Sequence, residues 1–381
     1  MILPPQGAVI DGVKTPLALF LMAAAAASGA EYIAFSGGYA SGGVKGIYAY
    51  HFDSASGSLK LLGLAAETDN PSFLAVDPTG HFLFAIHEGG GPSTVSSFAI
   101  DVKSGTLSEI SRVRNQGSGP AHLAIDHTGR WLAVANYGSG SVVVLPVGAD
   151  GTLGDAVGFD QHKGSGPNPD RQTEPHAHCV AFSPDNRFLA ATDLGADRVY
   201  VYRFDAARGS IALAGSPAAA APGAGPRHLV FHPGGRAVYT VNELAATVTA
   251  FRFDPATGAL KEVQTLSTLP AGYGDRSAAE IAINSAGTAL YVSNRGHDSI
   301  ARFAIDPVRL TLSPPELTPT AGRKPRHFTL DPTGAWLLAE NQDSGAIAVF
   351  SVRPGAGPLT RTGQEPVTAP APTCLVFVSS H

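Results

Sequence analysis

The sequence predicts an all-β fold: a seven-bladed β-propeller of four-stranded antiparallel blades, closed by strands from both termini. Three observations carry that expectation. One turn recurs six times at intervals of about fifty residues, a second turn recurs seven times, and the two chain ends complement each other. Glycine and proline, 44 and 29 of 381 residues, make up about 19% of the chain. Average usage is roughly 12%, so tight turns are abundant. Hydrophobic residues at 44% suffice for a large core.

The first turn reads Asp77-Pro78-Thr79-Gly80, Asp126-His127-Thr128-Gly129, Ser183-Pro184-Asp185-Asn186, His232-Pro233-Gly234-Gly235, Asn284-Ser285-Ala286-Gly287 and Asp331-Pro332-Thr333-Gly334. Its last residues are 49, 57, 49, 52 and 47 positions apart. A capping side chain first, proline second and glycine or asparagine last is turn chemistry. A short apolar run precedes each copy, such as Leu229-Val230-Phe231, and another follows, such as Val238-Tyr239-Thr240-Val241. These read as buried strands. A third run follows, such as Val199 to Tyr202. The second turn then appears, at Asp53–Gly57, Asp101–Gly105, Gly148–Gly151, Asp205–Gly209, Asp254–Gly258, Asp306–Leu310 and Arg353–Gly357. A polar fourth strand ends each unit.

Six copies against seven is the signature of closure. Residues 32–62 supply strands two to four of a blade, and Pro372–Val378 supplies a lone first strand. Joined, they make the seventh blade and leave no open sheet edge. Residues 32–381 are therefore expected to form one propeller domain. Residues 1–31 differ. An apolar stretch, Leu17 to Ala27, follows Lys14 and precedes Ser28-Gly29-Ala30, as in a secretory leader too short to span a bilayer. The expected location is periplasmic or secreted if residues 17–30 are a signal peptide, with the cytoplasm as the alternative.

Strand one lines the channel of a propeller, and strand two ends where strand one begins. Residues at those places converge on one mouth. The repeat offset puts His178, Arg227 and Arg326 there, with His122, His228, Glu280 and His327 one position further on. The ends of the second strands are His87, Asn136, Asp193, Asn242, Asn294 and Asn341. Their successors are Glu88, Tyr137, Leu194, Glu243, Arg295 and Gln342. Buried charge is costly unless paired, so a mouth rich in His, Arg and Glu marks an anion site with groups for proton transfer. A 57-residue spacing also reveals an inserted polar loop, Gln161 to Gln172, ahead of the third blade. The competing structural readings are a chain-turning role for the strand-end asparagines, a packed core for the ring histidines and an internal salt bridge for Arg227 and Glu243.

Several classes are excluded or unsupported. A net charge of −5 argues against nucleic-acid binding. Two cysteines exclude a disulfide scaffold. No other segment reaches transmembrane length, and no spacing argues for a metal or a nucleotide cofactor. No cofactor, membrane or nucleic-acid partner is expected. A monomer is compatible with the sequence.

Seven segments resemble the seven-bladed propeller lactonases, a family that includes bacterial 6-phosphogluconolactonases and fungal carboxy-cis,cis-muconate cyclases. They are Gly164–Asn168 with Arg171-Gln172, Pro175–His178, Gly225–Leu229, Asn242–Leu244, Ser293–Ile300, Pro325–Phe328 and Asn341–Gly345. The resemblance runs from about residue 32 to 380. It implies an active site of His178, Arg227, Glu243 and Arg295; Arg171, His176, His228, Arg326 and Asn341, which lie in the same segments, are expected as substrate-binding residues. It implies opening of a sugar lactone, such as 6-phosphoglucono-δ-lactone, by water. His178 or Glu243 would activate the water, and the arginines would hold the oxyanion and the substrate's acid group. The alternatives are a muconate-type cycloisomerase and a non-enzymatic binding propeller.

Overall fold

The leading side chain of the first-type turn closes it. Asp126 Oδ1 accepts the amides of Arg130 and Trp131 at 2.8 and 2.9 Å, and Asp331 Oδ1 accepts that of Trp336 at 2.7 Å. The two strands around each turn are thereby held antiparallel. The computed structural model describes Met1 and residues 29–39, 46–89, 93–353 and 357–380. The apolar segment 17–27 and part of the last second-type turn lie outside them.

Seven antiparallel sheets follow in sequence. Their inner strands are Pro71–Val76, Pro120–Ile125, Ala177–Phe182, Pro226–Phe231, Ala278–Ile283, Pro325–Leu330 and Pro372–Ser379. Each inner strand packs beside the next, and the last packs beside the first, so the ring is closed. The closing blade is assembled as expected. Pro372–Ser379 pairs with Glu31–Gly38, which pairs with Ile47–Asp53, which pairs with Ser58–Ala66.

Apolar side chains from both faces of each sheet fill the space between blades. Seven buried clusters result among the described residues, one at each blade–blade junction. The second-type turn takes part in this packing. Gly209 has φ of 71°, and a Cβ there would meet the Trp131 ring of the preceding blade at 2.3 Å. The Trp131 indole N–H donates to Ala206 O of that same turn at 2.9 Å. Gly57 and Trp336 repeat the arrangement across the closing junction. Both backbone conformation and space demand glycine there.

The fourth strand departs from expectation in two blades. It is split into Ser210–Leu213 and Ala218–Ala219 in the third blade, and into Thr360–Arg361 and Val367–Thr368 in the sixth. Pro217 and Pro366 sit at the breaks. Proline has no amide hydrogen for the ladder, and an outer edge tolerates the interruption.

Candidate active site at one mouth of the channel

Every inner strand carries a β-bulge at the same place. The register slips between Pro71 and Phe73, Pro120 and His122, Ala177 and Cys179, Pro226 and His228, Ala278 and Ile281, and Pro325 and His327. The closing strand slips likewise, opposite Gly37 and Gly38. In a regular strand consecutive side chains face opposite ways. The bulge re-aims one of them. Arg227 and His228 therefore both point toward the channel, one toward the mouth and one deeper.

The residue after each second strand is fixed by one recurring hydrogen bond. The amides of Glu88, Tyr137, Leu194, Glu243, Arg295, Gln342 and Tyr39 donate to the carbonyls of Asn70, Gly119, His176, Gly225, Ser277, Lys324 and Ala371. One side chain per blade is thus delivered to the same rim. A cavity of about 260 Å³ opens between them, lined by Tyr39, Glu88, Ala121, Tyr137, Arg171, His178, Glu243, Arg295 and Arg326.

Glu243 is the electrostatic centre of one wall. Its Oε1 meets Arg171 Nη2 at 2.9 Å, and its Oε2 meets Arg295 Nη2 at 2.9 Å and Arg227 Nε at 3.1 Å. Burial opposes its charge, but Arg295 and Arg227 outweigh burial and hold the carboxyl well below the usual carboxylate range. Arg227 lies behind Glu243, only 3% exposed, with Nη1 donating to Ala279 O at 2.8 Å. Burial and the nearby charges of Arg295 and Arg326 bring it down to about 10. It remains a cation at neutral pH.

His178 faces the same cavity. Its Nδ1 is buried with no hydrogen-bond partner among the described residues. Burial first, and Arg227 second, hold its imidazole well below the usual value, so it is neutral. Tyr137 packs edge-on against it at 5.5 Å and stacks on His176 at 4.3 Å.

On the far wall the Tyr39 hydroxyl donates to Glu88 Oε2 at 2.6 Å and accepts from Arg326 Nη2 at 2.9 Å. Four arginines against two carboxylates leave the site with a formal charge of +2. A cationic hollow with a neutral imidazole at its edge can hold an anion and accept a proton beside it.

The inserted loop delivers Arg171. His162 anchors its start, with Nδ1 2.6 Å from Asp193 Oδ2 and Nε2 2.8 Å from the Tyr202 hydroxyl, all deeply buried. Gln172 anchors its end. Its Nε2 donates at 2.7 Å to both Leu194 O and Asp197 Oδ1.

Of the nine residues expected from the sequence, His178, Arg171, Glu243, Arg295 and Arg326 line the cavity, and Arg227 backs it. His176 flanks it through Tyr137. His228 sits one layer deeper, 5.2 Å from the His178 ring centroid, with Nδ1 2.9 Å from Glu280 Oε2. Asn341 is fully buried and donates to the Thr320 carbonyl at 3.1 Å, which ties it to the loop backbone instead of the cavity.

At the level of His228, Phe73 packs edge-to-face against His228 and His327 and tilted against His122, which meets His228 edge-to-face, and His327 pairs with buried Glu340. Among the described residues no group of three or more His, Cys, Asp or Glu side chains is arranged to hold a metal ion. No helix among them is long and apolar enough to cross a membrane.

The sequence pattern gives no role to Tyr39, Glu88 and Tyr137. Glu88 and Tyr137 stand at the repeat offset that yields Glu243 and Arg295. Tyr39 is the same position in the closing blade, where Gly38 opposes Pro372 as Asn136 opposes Pro120. That blade has no first-type turn from which to count, so the offset skips it.

Known proteins match this picture over nearly the whole chain. The family model described as "Lactonase, 7-bladed beta-propeller" matches residues 33–377. The chain is 36% identical over 349 residues to the 6-phosphogluconolactonase of Bacillus subtilis, covering 91% of this chain and 99% of that one. It is 33% identical over 342 residues to the 6-phosphogluconolactonase of Formosa agariphila, covering 88% and 96%. The structure of a periplasmic gluconolactonase from Pseudomonas aeruginosa superposes with a TM-score of 0.85 at 36% identity, covering 92% of this chain and 100% of that one. Fold, repeat register and sequence agree: the chain belongs to the seven-bladed β-propeller lactonase family.

Proposed function

We propose that the protein hydrolyses 6-phosphoglucono-δ-lactone or a related aldonolactone. The observation that carries this reading is the +2 formal charge of a cavity edged by a neutral histidine. Two relatives bear the name 6-phosphogluconolactonase, which supports it. In this reading water attacks the lactone carbonyl carbon and gives a proton to His178. Glu243 is the weaker candidate for that role, because both its oxygens are occupied by guanidinium groups. Arg295, reinforced by the charge of Arg227 behind it, holds the oxyanion. The tetrahedral intermediate collapses, the ring C–O bond breaks, and the proton on His178 passes to the departing alkoxide. Arg171 and Arg326 take the phosphate or carboxylate.

A panel of phosphorylated and unphosphorylated aldonolactones, followed by pH-stat against the spontaneous rate, tests this. Sugar-lactone turnover above background is expected, with the anionic substrate preferred. Background rates on every sugar lactone would refute it. The pH profile adds a check on His178. Protonation to imidazolium removes the base, and its folded-state value lies below the ordinary 6.5. The acid limb of kcat/KM is therefore expected well below pH 6.5, and a limb at or above that value would exclude His178.

We also infer export, from the apolar segment 17–27 and the small residues after it. Mass spectrometry of the mature chain is expected to find a new N-terminus near residue 30, whereas an intact Met1 would refute export.

A further inference from the structure

The two carboxylates of the cavity are held in unlike ways. Glu243 spends both oxygens on three guanidinium groups. Glu88 makes no ion pair among the described residues. Its Oε2 accepts from the Tyr39 hydroxyl at 2.6 Å, and it faces the cavity half-buried. Tyr39 is itself fixed from the other side. Arg326 Nη2 donates to the same hydroxyl at 2.9 Å, and the guanidinium lies 5.3 Å from the ring centroid. Burial pushes the Tyr39 phenol well up, so it stays a hydroxyl and keeps donating to Glu88.

A carboxylate with no direct ion-pair partner is a liability in a hollow that attracts anions. It repels the charge that the arginines draw in. The arrangement is favourable only if the ligand brings hydrogen-bond donors to that wall, because a carboxylate accepts several and donates none. An aldonolactone has such donors in its ring hydroxyls. A hydroxyl-poor lactone of a dicarboxylic acid has few or none, and its charge would be repelled.

Resting on the lactonase reading above, we propose that Glu88, positioned by Tyr39 and Arg326, is a specificity residue that accepts hydrogen bonds from the ring hydroxyls of a polyhydroxylated lactone. The site is then tuned to the ring hydroxyls of sugar lactones at Glu88 and to their acid or phosphate group at the arginines. A site built to hydrogen-bond a hydroxyl discriminates strongly against the analogue that lacks it, since its own polar group is left unpaired.

The test is a substrate–variant cycle. Glucono-δ-lactone and its single-deoxy analogues are assayed with wild type, Glu88→Ala and Glu88→Gln, each first shown to be folded by its thermal melt. With wild type, at least one deoxy analogue is expected to lose about 10- to 100-fold in kcat/KM, the scale of a hydrogen bond to a charged group. With Glu88→Ala that penalty is expected to shrink to within a few-fold, with Glu88→Gln intermediate. A purely structural role for Glu88 would lower all substrates alike and leave the ratios intact. Deoxy penalties equal in wild type and Glu88→Ala would overturn the proposal while leaving lactone hydrolysis standing. Where wild type hydrolyses only the 6-phosphate of the parent lactone, the same cycle is run in the phosphorylated series; background rates on both parents and on every other sugar lactone would overturn the lactonase reading, and this inference with it. If Glu88→Ala does not fold, the same comparison is made with Glu88→Gln.

Discussion

Replacing Glu243 with alanine is expected to lower kcat/KM at least ~10²-fold, the scale of losing a positioned oxyanion donor. It is also expected to cost about 3–5 kcal/mol of stability, the range for removing one partner of a buried ion pair. Three guanidinium groups lie within 3.1 Å of this carboxylate, and Arg227 and Arg295 are almost wholly inside the protein. Without the counter-charge those two repel each other, and at least one must leave its place. The stability term comes mainly from this inner pair, since Arg171 is partly solvated. Glu243→Gln keeps the shape and removes only the charge, so it separates the two contributions. Thermal melts and lactone kinetics that match wild type in both variants would refute the role given to Glu243.

Deleting the last strand is expected to have the larger structural effect. A chain ending before Pro372 lacks the inner strand of the closing blade, and should yield no folded monomer by circular dichroism and size exclusion. Pro372–Ser379 is the strand to which Glu31–Gly38 is hydrogen-bonded. It supplies Cys374 and Val378 to the cluster shared with the first blade, and Leu375 to the cluster shared with the sixth. Removing it opens two junctions and exposes a sheet edge. A circular permutant is the control. Ser380 N donates to Glu31 O at 3.1 Å, so the two ends of the propeller lie side by side and, with residues 1–30 left out, a short linker can join them. New termini in the exposed turn between Pro255 and Ala256 retain every strand. That permutant is expected to melt close to wild type. A folded truncated chain would show that closure is dispensable.

Much of this architecture is legible in the order of residues alone. Turn residues obey local rules: an Asp77 or Asp331 that caps its own turn, and a glycine at left-handed φ, do so wherever the chain runs. Six turns of one kind and seven of the other therefore reveal both blade number and closure by the two ends. A fixed offset from those turns also picks out His178, Arg227, Glu243 and Arg295, because every blade bulges at the same place and delivers the same positions to the mouth.

Direction and partnership are not legible in this way. Offset places Asn341 at the rim, yet its side chain turns inward to the loop backbone. It ranks Arg227 with Arg295, yet Arg227 stands behind Glu243. Tyr39 and Arg326 touch although 287 residues separate them. A repeat determines which positions reach a common mouth. Which of those side chains pair, and which remain free for a ligand, depends on neighbours brought from other blades, and only the closed ring sets those neighbours.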